Sequence, residues 1–199
     1  MANEFADLIM GPVTVYRAPV GETPPNENSV AYGVAWGGNW ATFGYTKTPL
    51  SCNYEFEEFE AMVQEALAAV KRRKTSEALT LETTLAQLTA DNVQLGSGGT
   101  VTDTAAGAAQ VQMEELEAGN NAVLGEYAWG FEGEYRKDDG TQFPVRLFIW
   151  KGTAKLNGAL EFGKEDYPGI PLQIKALHDA SKTAGKNLFK LQKVLAPHT

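Results

Sequence analysis

SCNYEFEEFEAMVQEALAAVKRRKTSEALTLETTL, Ser51 to Leu85, carries two contradictory periods, and the one that prevails decides the fold. Leu50, Cys52, Tyr54 and Phe56 alternate with Ser51, Asn53, Glu55 and Glu57, setting an apolar face against an increasingly acidic one. That two-residue period belongs to a half-buried strand. From Phe56 the spacing changes: Phe56, Phe59, Val63, Leu67 and Val70 recur at three- and four-residue steps, and EFEAMVQEALAAV is rich in good helix formers. Taken alone, these residues predict a helix from about Glu57 to Lys71. Alternation then returns at Leu79, Leu81, Thr83 and Leu85.

Downstream, Thr89 can cap a short helix through Leu95. Gly96 to Gln110, GSGGTVTDTAAGAAQ, has almost no large side chains and reads as part of a long loop at about 96–121, too poor in apolar surface to order itself. Val123, Tyr127, Trp129, Phe131 and Tyr135 then share one parity, while Glu126, Glu132 and Glu134 hold the other. RKDDG, Arg136 to Gly140, supplies the Asp-Gly turn of a hairpin. Its return strand has Val145, Leu147 and Ile149 on one face and Arg146, Phe148 and Trp150 on the other, which is too apolar to be simply solvated. Alternation predicts two more strands: Thr153 to Phe162, and GIPLQIKAL with Ile170, Leu172, Ile174 and Ala176 inward. Pro171 lacks a donor and suits an edge position. The tail, about 181–199, is a basic arm in which Lys182, Lys186, Lys190 and Lys193 occur without one acid between Ser181 and Leu195.

Upstream, Pro12 to Arg17 reads as a short strand, and residues 18–40 (APVGETPPNENSVAYGVAWGGNW) as a long loop dense in Pro, Gly and Asn. A loop of that length carrying Tyr32, Trp36 and Trp40 must dock its aromatics somewhere. They cap this domain's own core, or they dock on a neighbouring subunit.

Composition excludes much. The 199 residues suffice for one domain, and 17 Lys plus Arg against 25 Asp plus Glu give a net charge of -8, which repels nucleic acid and anionic membranes. MANEFADLIMGPV has no basic segment leading an apolar run, and no apolar stretch approaches a membrane span, so synthesis in a cytoplasm is expected. The single Cys52 and two histidines, His178 and His198, give disulfide and metal chemistry little to work with. GALEFGKE, Gly158 to Glu165, imitates a phosphate loop but puts Glu165 and Asp166 where a hydroxyl and an anion should meet. His178 beside Asp179 sits at a strand end and reads as a surface histidine, and the carboxylate pairs Glu57/Glu58 and Asp138/Asp139 are sequence neighbours without a cleft. No argument for catalysis emerges.

Several pieces in order resemble the major tail tube protein of long-tailed phages with non-contractile tails. They are the early strand GPVTVYRA with the long loop ending in Trp40, the run from YEFEEFE through VKRRKTSEALTLETTLAQLTADNVQL, the hairpin EYAWGFEGEYRKDDGTQFPVRLFIWKG, and the ending FGKEDYPGIPLQIKALHDAS. The similarity spans about Gly11 to Lys193, and the order of the pieces carries it more than any single motif. The resemblance implies a single mainly β domain over 1–199, a β-sandwich or half-barrel with one short helix and long loops, whose copies assemble as hexameric rings stacked into a tube. It turns Glu57–Lys71 from helix to strand-turn-strand and places the helix at Thr89 to Leu95; strand pairing often overrides propensity.

In that frame Glu55, Glu57 and Glu82 are lumen-facing candidates. Tyr32, Trp36, Trp40, Phe148, Trp150, Lys182, Lys186, Lys190 and Lys193 are candidates for contacts between subunits or rings. The resemblance further implies tape measure, tail-tip and tail-terminator proteins as partners, and double-stranded DNA passing through without specific binding. No cofactor, catalysis or membrane is implied, and the expected location is the virion tail after synthesis in the host cytoplasm. Two alternatives stand beside it: the equivalent tube of a gene-transfer particle, and a free β-barrel or sandwich around a small apolar ligand, which the aromatic strand YAWGF would permit.

Overall fold

A computed structural model of the chain describes residues 12–28, 31–120, 123–136, 140–164 and 166–195. The deciding stretch is a hairpin. β3, Ser51–Ala61, pairs antiparallel with β4, Lys71–Leu85, from Ser51 opposite Glu82 to Ala61 opposite Lys71, and residues 62–70 form the tip. The helix that spacing alone predicts over Glu57–Lys71 is therefore overturned, and the strand-turn-strand order holds. A helix there would have needed a wall for its apolar stripe. Instead Phe56 and Phe59 fall on opposite faces of β3, and Val63, Leu67 and Val70 are exposed in the tip or beside it. Good helix formers gain only a few tenths of a kcal/mol per residue over average ones. The ladder templated by β4 outweighs that, because the lower half of β4 is already fixed in the core through Leu79, Leu81 and Leu85.

The remaining elements are β1 (Thr14–Pro19), β2 (Ala41–Thr42), α1 (Ala90–Ser97), β5 (Thr100–Thr104), β6 (Met113–Glu117), β7 (Glu126–Arg136), β8 (Gln142–Leu156), β9 (Ile170–Ala176) and β10 (Phe189–Lys193). One eight-stranded antiparallel sheet runs β2-β1-β7-β8-β9-β4-β3, with β10 also on β8; β5 and β6 make a separate two-stranded ribbon. The mainly β class with one short helix thus stands. Thr89 caps α1 by accepting from the Asn92 N–H at 3.2 Å, as its position in the sequence predicts.

Four details differ from the sequence reading. β8 is one fifteen-residue strand that absorbs both the return strand and the start of Thr153–Phe162, and it stops at Leu156; Gly158 then turns the chain in left-handed backbone at φ 148°. Pro171 lies on a central strand, between β4 and β8. It is tolerated because its backbone faces β8 where the β8–β9 ladder, ending at Leu156 opposite Leu172, has run out; its carbonyl accepts from Asn157 N–H at 2.9 Å. The segment read as a loop at 96–121 contains β5–β6, whose Thr-Val-Thr alternation suffices for a ribbon resting on α1. The basic arm contains β10. Of the turn RKDDG, residues 137–139 lie outside the described ones.

Each sheet face carries a buried cluster, the first extensive and the second confined to β1, β7 and β8. One carries the main core, with Trp129, Ile149, Leu81, Leu85, Ile170 and Ile174 packed beneath Leu95 of α1. On the other, Tyr16, Ala18, Ala128 and Phe148 are roofed by Trp36 and Trp40 from the long loop. Trp36 stacks on Tyr16 with centroids 4.0 Å apart and planes 3° from parallel. Gly130 makes this possible: a Cβ there would sit 2.2 Å from the Trp36 ring. Gly130→Val is expected to cost about 1–3 kcal/mol through overpacking, measured by urea denaturation, with a red shift in tryptophan emission as the roof lifts. Unchanged stability and emission would mean that the loop does not rest on β7.

Candidate assembly surface

The strands β3, β4, β9 and β8 form a quarter of the molecule with one core face and one polar face. Directly paired residues share a face, so the register places Ser51 with Glu82, Asn53 with Thr80, Glu55 with Ala78 and Glu57 with Ser76. The same face continues through Gln173 and Lys175 on β9 to Lys155 and Thr153 on β8. Glu55, Glu57 and Glu82 are thereby brought onto one exposed surface. Each is held by a neutral neighbour: Glu55 by the Asn53 amide at 2.6 Å, Glu57 by the Ser76 hydroxyl at 3.1 Å, and Glu82 by the amides of Gln173 and Asn157. Lys155 and Lys175, which the alternation puts outward, stand among them. Below the register shift at Glu57/Glu58, three carboxylates against two ammonium groups leave one net negative charge; beyond it Arg73, opposite Phe59, and Lys71, opposite Ala61, continue the same face toward the tip.

The opposite face of the hairpin leaves the core at Leu79 and becomes a charged and aromatic ribbon. Tyr54 donates to Glu77 at 2.7 Å, and Lys74 reaches both. The Tyr54 hydroxyl first, and Lys74 second, hold the Glu77 carboxyl below its ordinary range. Their contribution to the ribbon is present above the ordinary carboxylate value and fades as pH falls through the depressed one. Beyond them Arg72 pairs with Glu60 at 2.9 Å. β3 closes the sheet's order, so its outer edge has no partner strand among the described residues. Unpaired edges of this length invite a strand from another chain.

The aromatic contact candidates divide. Trp36, Trp40 and Phe148 are 4%, 8% and 1% exposed and are occupied within their own subunit. Tyr32 is half-buried. Trp150, also half-buried, stacks on Phe148 and donates its indole N–H to the Lys186 carbonyl at 2.8 Å. Among the lysines, Lys182 lies over Trp150 at 4.3 Å and Lys193 over Tyr135 at 4.0 Å, while Lys190 sits on β10 opposite Phe148. The arm is thus partly bound to its own domain.

Sequence reasoning missed one feature of this surface. Glu132 and Arg146, 1% and 0% exposed, pair at 2.9 Å beneath the long loop. Glu132 also accepts from Trp36 Nε1 and from the Gly33 N–H, each at 3.3 Å, and the Arg146 guanidinium lies over the Trp36 ring. The parity that set Glu132 opposite the inward face of β7 was correct, but it does not say what covers that side. The signal was present: the turn puts Glu132 opposite Arg146, and Trp36 needs an acceptor.

The His178–Asp179 pair read in the sequence is divided by its surroundings. Asp179 accepts from the Ser181 backbone at 2.9 Å, and Ser181 keeps its carboxyl below the usual range; His178 is exposed. Among the described residues no group of three or more His, Cys, Asp and Glu could hold a metal, and no helix is long and apolar enough to cross a membrane. Ala128, Trp129 and Phe131 of the YAWGF strand are packed into the two cores. A family model described as Phage tail tube protein matches residues 1–191. No curated protein matches the chain.

Truncating one member of the buried pair strands the other charge. Glu132→Ala is expected to lose about 3–5 kcal/mol of stability, and Glu132→Leu with Arg146→Met to lose less than either single change, in urea titrations. A double-variant loss equal to the sum of the two single losses would show that the two groups are not coupled.

Proposed function

The chain belongs to the phage tail tube protein family, a structural component of the virion tail, and on that footing we propose that its copies form stacked hexameric rings enclosing a conduit for DNA in a long, non-contractile tail. One observation carries the reading: the β9-β8 strands and the C-terminal half of β4 are apolar on one face and polar on the other, and the polar face runs on into β3, whose outer edge is open. A segment of this kind is stable as part of a closed barrel wall. The polar face turns to the lumen, the core face turns outward beneath α1, and the open edge of β3 pairs with the next subunit. Repetition of one heterologous contact closes a ring and abolishes the edges.

The dimensions fit the cargo. Six subunits giving four strands each make roughly 24 strands, which at about 4.8 Å spacing and about 40° tilt enclose a backbone diameter near 48 Å. Side chains narrow this to roughly 35–40 Å, wide enough for a duplex of roughly 20 Å. Glu55, Glu57 and Glu82 hold the phosphates off the wall, while Lys155 and Lys175 keep the field weak. DNA passes without specific binding. Tape measure, tail-tip and tail-terminator proteins set the length and ends of the tube. The half-buried Tyr32 and Trp150 and the lysines Lys182, Lys186, Lys190 and Lys193 lie at contacts between copies, with Trp36, Trp40 and Phe148 supporting them from within.

Negative-stain microscopy of the concentrated protein is expected to show hollow tubes; a monomer at every concentration would overturn the reading. Glu55→Lys with Glu57→Lys changes the part of the polar face below the register shift at Glu57/Glu58 from one net negative to three net positive charges per subunit. Tubes should still form, but DNA ejection should slow and recover partly as salt rises, because lysine–phosphate contacts weaken steeply with ionic strength. Ejection at the normal rate would place these residues away from the DNA.

A further inference from the structure

Two ribbons project from the sheet and core, and their charges are arranged in complementary ways. On one face of the β3–β4 ribbon the charges are balanced internally: Glu60 and Glu58 stand opposite Arg72 and Lys74. On the other face the end of the ribbon is not balanced. There Lys71 stands opposite Ala61 and Arg73 opposite Phe59, with no acid across from either. Neither cation enters an ion pair among the described residues, and Phe59 beside them is 63% exposed.

The β5–β6 ribbon shows the inverse. Val101 and Leu116 are half-buried and Glu114 accepts from the Ala90 N–H at 3.1 Å, so that face turns toward α1. The outward face carries Glu115 opposite Thr102 and Glu117 opposite Thr100, with the exposed Met113 beside them. Neither carboxylate has an ion-pair partner among the described residues. In each ribbon the two charges are two residues apart on one face, which is about 6.7 Å along a strand. Like charges at matched spacing, one pair positive and one negative, each with an exposed apolar neighbour, are what two docking strands need.

We propose that the β3–β4 tip of one copy docks on the outward face of the β5–β6 ribbon of a second copy, Lys71 and Arg73 meeting Glu115 and Glu117 while Phe59 packs near Met113. The proposal rests on the tube-subunit reading and names the partner surfaces within it. Because the two faces differ, the contact is heterologous, so each copy gives one ribbon and receives another, and the contact propagates from copy to copy. A chain with a net charge of -8 carries acidic surface in excess, and two cations on an exposed ribbon are what such a surface on another copy would attract.

The test is a charge swap scored by tube yield in light scattering and microscopy. Lys71→Glu with Arg73→Glu, and separately Glu115→Lys with Glu117→Lys, should each reduce tube yield by about tenfold or more at low salt, since each sets like charges against one another. Circular dichroism should show both folded. The chain carrying all four changes should assemble near the wild-type level. To keep the test independent of folding, Arg73→Cys and Glu115→Cys in a Cys52→Ser background should give chain-to-chain disulfide ladders on oxidation of assembled tubes. Wild-type yield from both reversals, no recovery in the fourfold variant, or monomers only after oxidation would overturn the proposal. If the wild-type chain makes no tubes at all, the tube reading fails with it; if it makes tubes indifferent to these charges, only this contact fails.

Discussion

The ladder between β9 and the C-terminal half of β4 is the constraint on which the rest depends. Leu81 opposite Ile174, Thr83 opposite Leu172 and Leu85 opposite Ile170 bury one face, and this fixes the parity of the whole of β4. A one-residue slip would turn Glu82 into the core and Leu81 into solvent. With the parity fixed, the first half of β4 has to extend past the end of β9, β3 must pair with it, and Glu55, Glu57 and Glu82 must share the face away from the core. The polar wall and the open edge are both consequences of that one register.

The second face is governed by a different interaction. Phe148 and Ala128 would expose an apolar patch on β7 and β8 if the long loop did not cover it. The loop has little regular structure of its own, so its order depends on anchors: Trp36 on Tyr16 and over Gly130, Trp40 donating to the Thr23 carbonyl at 2.9 Å, and Glu132 binding Trp36 and Gly33. A buried ion pair contributes little net stability by itself. Here it fixes where the loop lies, because Glu132 has acceptor capacity left for both loop donors after meeting Arg146. The subunit therefore has a finished face under the loop and an unfinished one along β3.

How much of this could be read in the sequence depends on whether a residue's environment was local. Strands β7 and β9 were legible because inward residues such as Trp129, Phe131, Leu172 and Ile174 alternate cleanly, and Thr89 announced the helix start. The first half of β3 was legible in the alternation from Leu50 to Phe56, but from Glu57 to Lys71 spacing misread the end of β3 and the hairpin tip, because those side chains face solvent and helix formers supplied a false period. The β5–β6 ribbon escaped notice for the opposite reason: its small residues suggested disorder, yet a ribbon leaning on α1 needs only Val101 and Leu116 inward. Pro171 looked like an edge residue because nothing local says where β8 ends. The lumen candidates did converge on one face, but Lys155 and Lys175 joined them only through β9, a long-range pairing the chain order does not display. Trp36, Trp40 and Phe148 were legible as needing a dock; that the dock is their own sheet required the fold.

In the assembled tube, the polar face of β3, β4, β9 and β8 is proposed to line a closed channel. A helical reconstruction by cryo-electron microscopy of tubes grown from this chain tests it most directly. The account predicts Glu55, Glu57 and Glu82 on the inner wall, the outer edge of β3 hydrogen-bonded to an adjacent copy, and α1 outside the strand layer. A wall in which α1 faces the channel, or in which β3 lies unpaired on the outer surface, would contradict it.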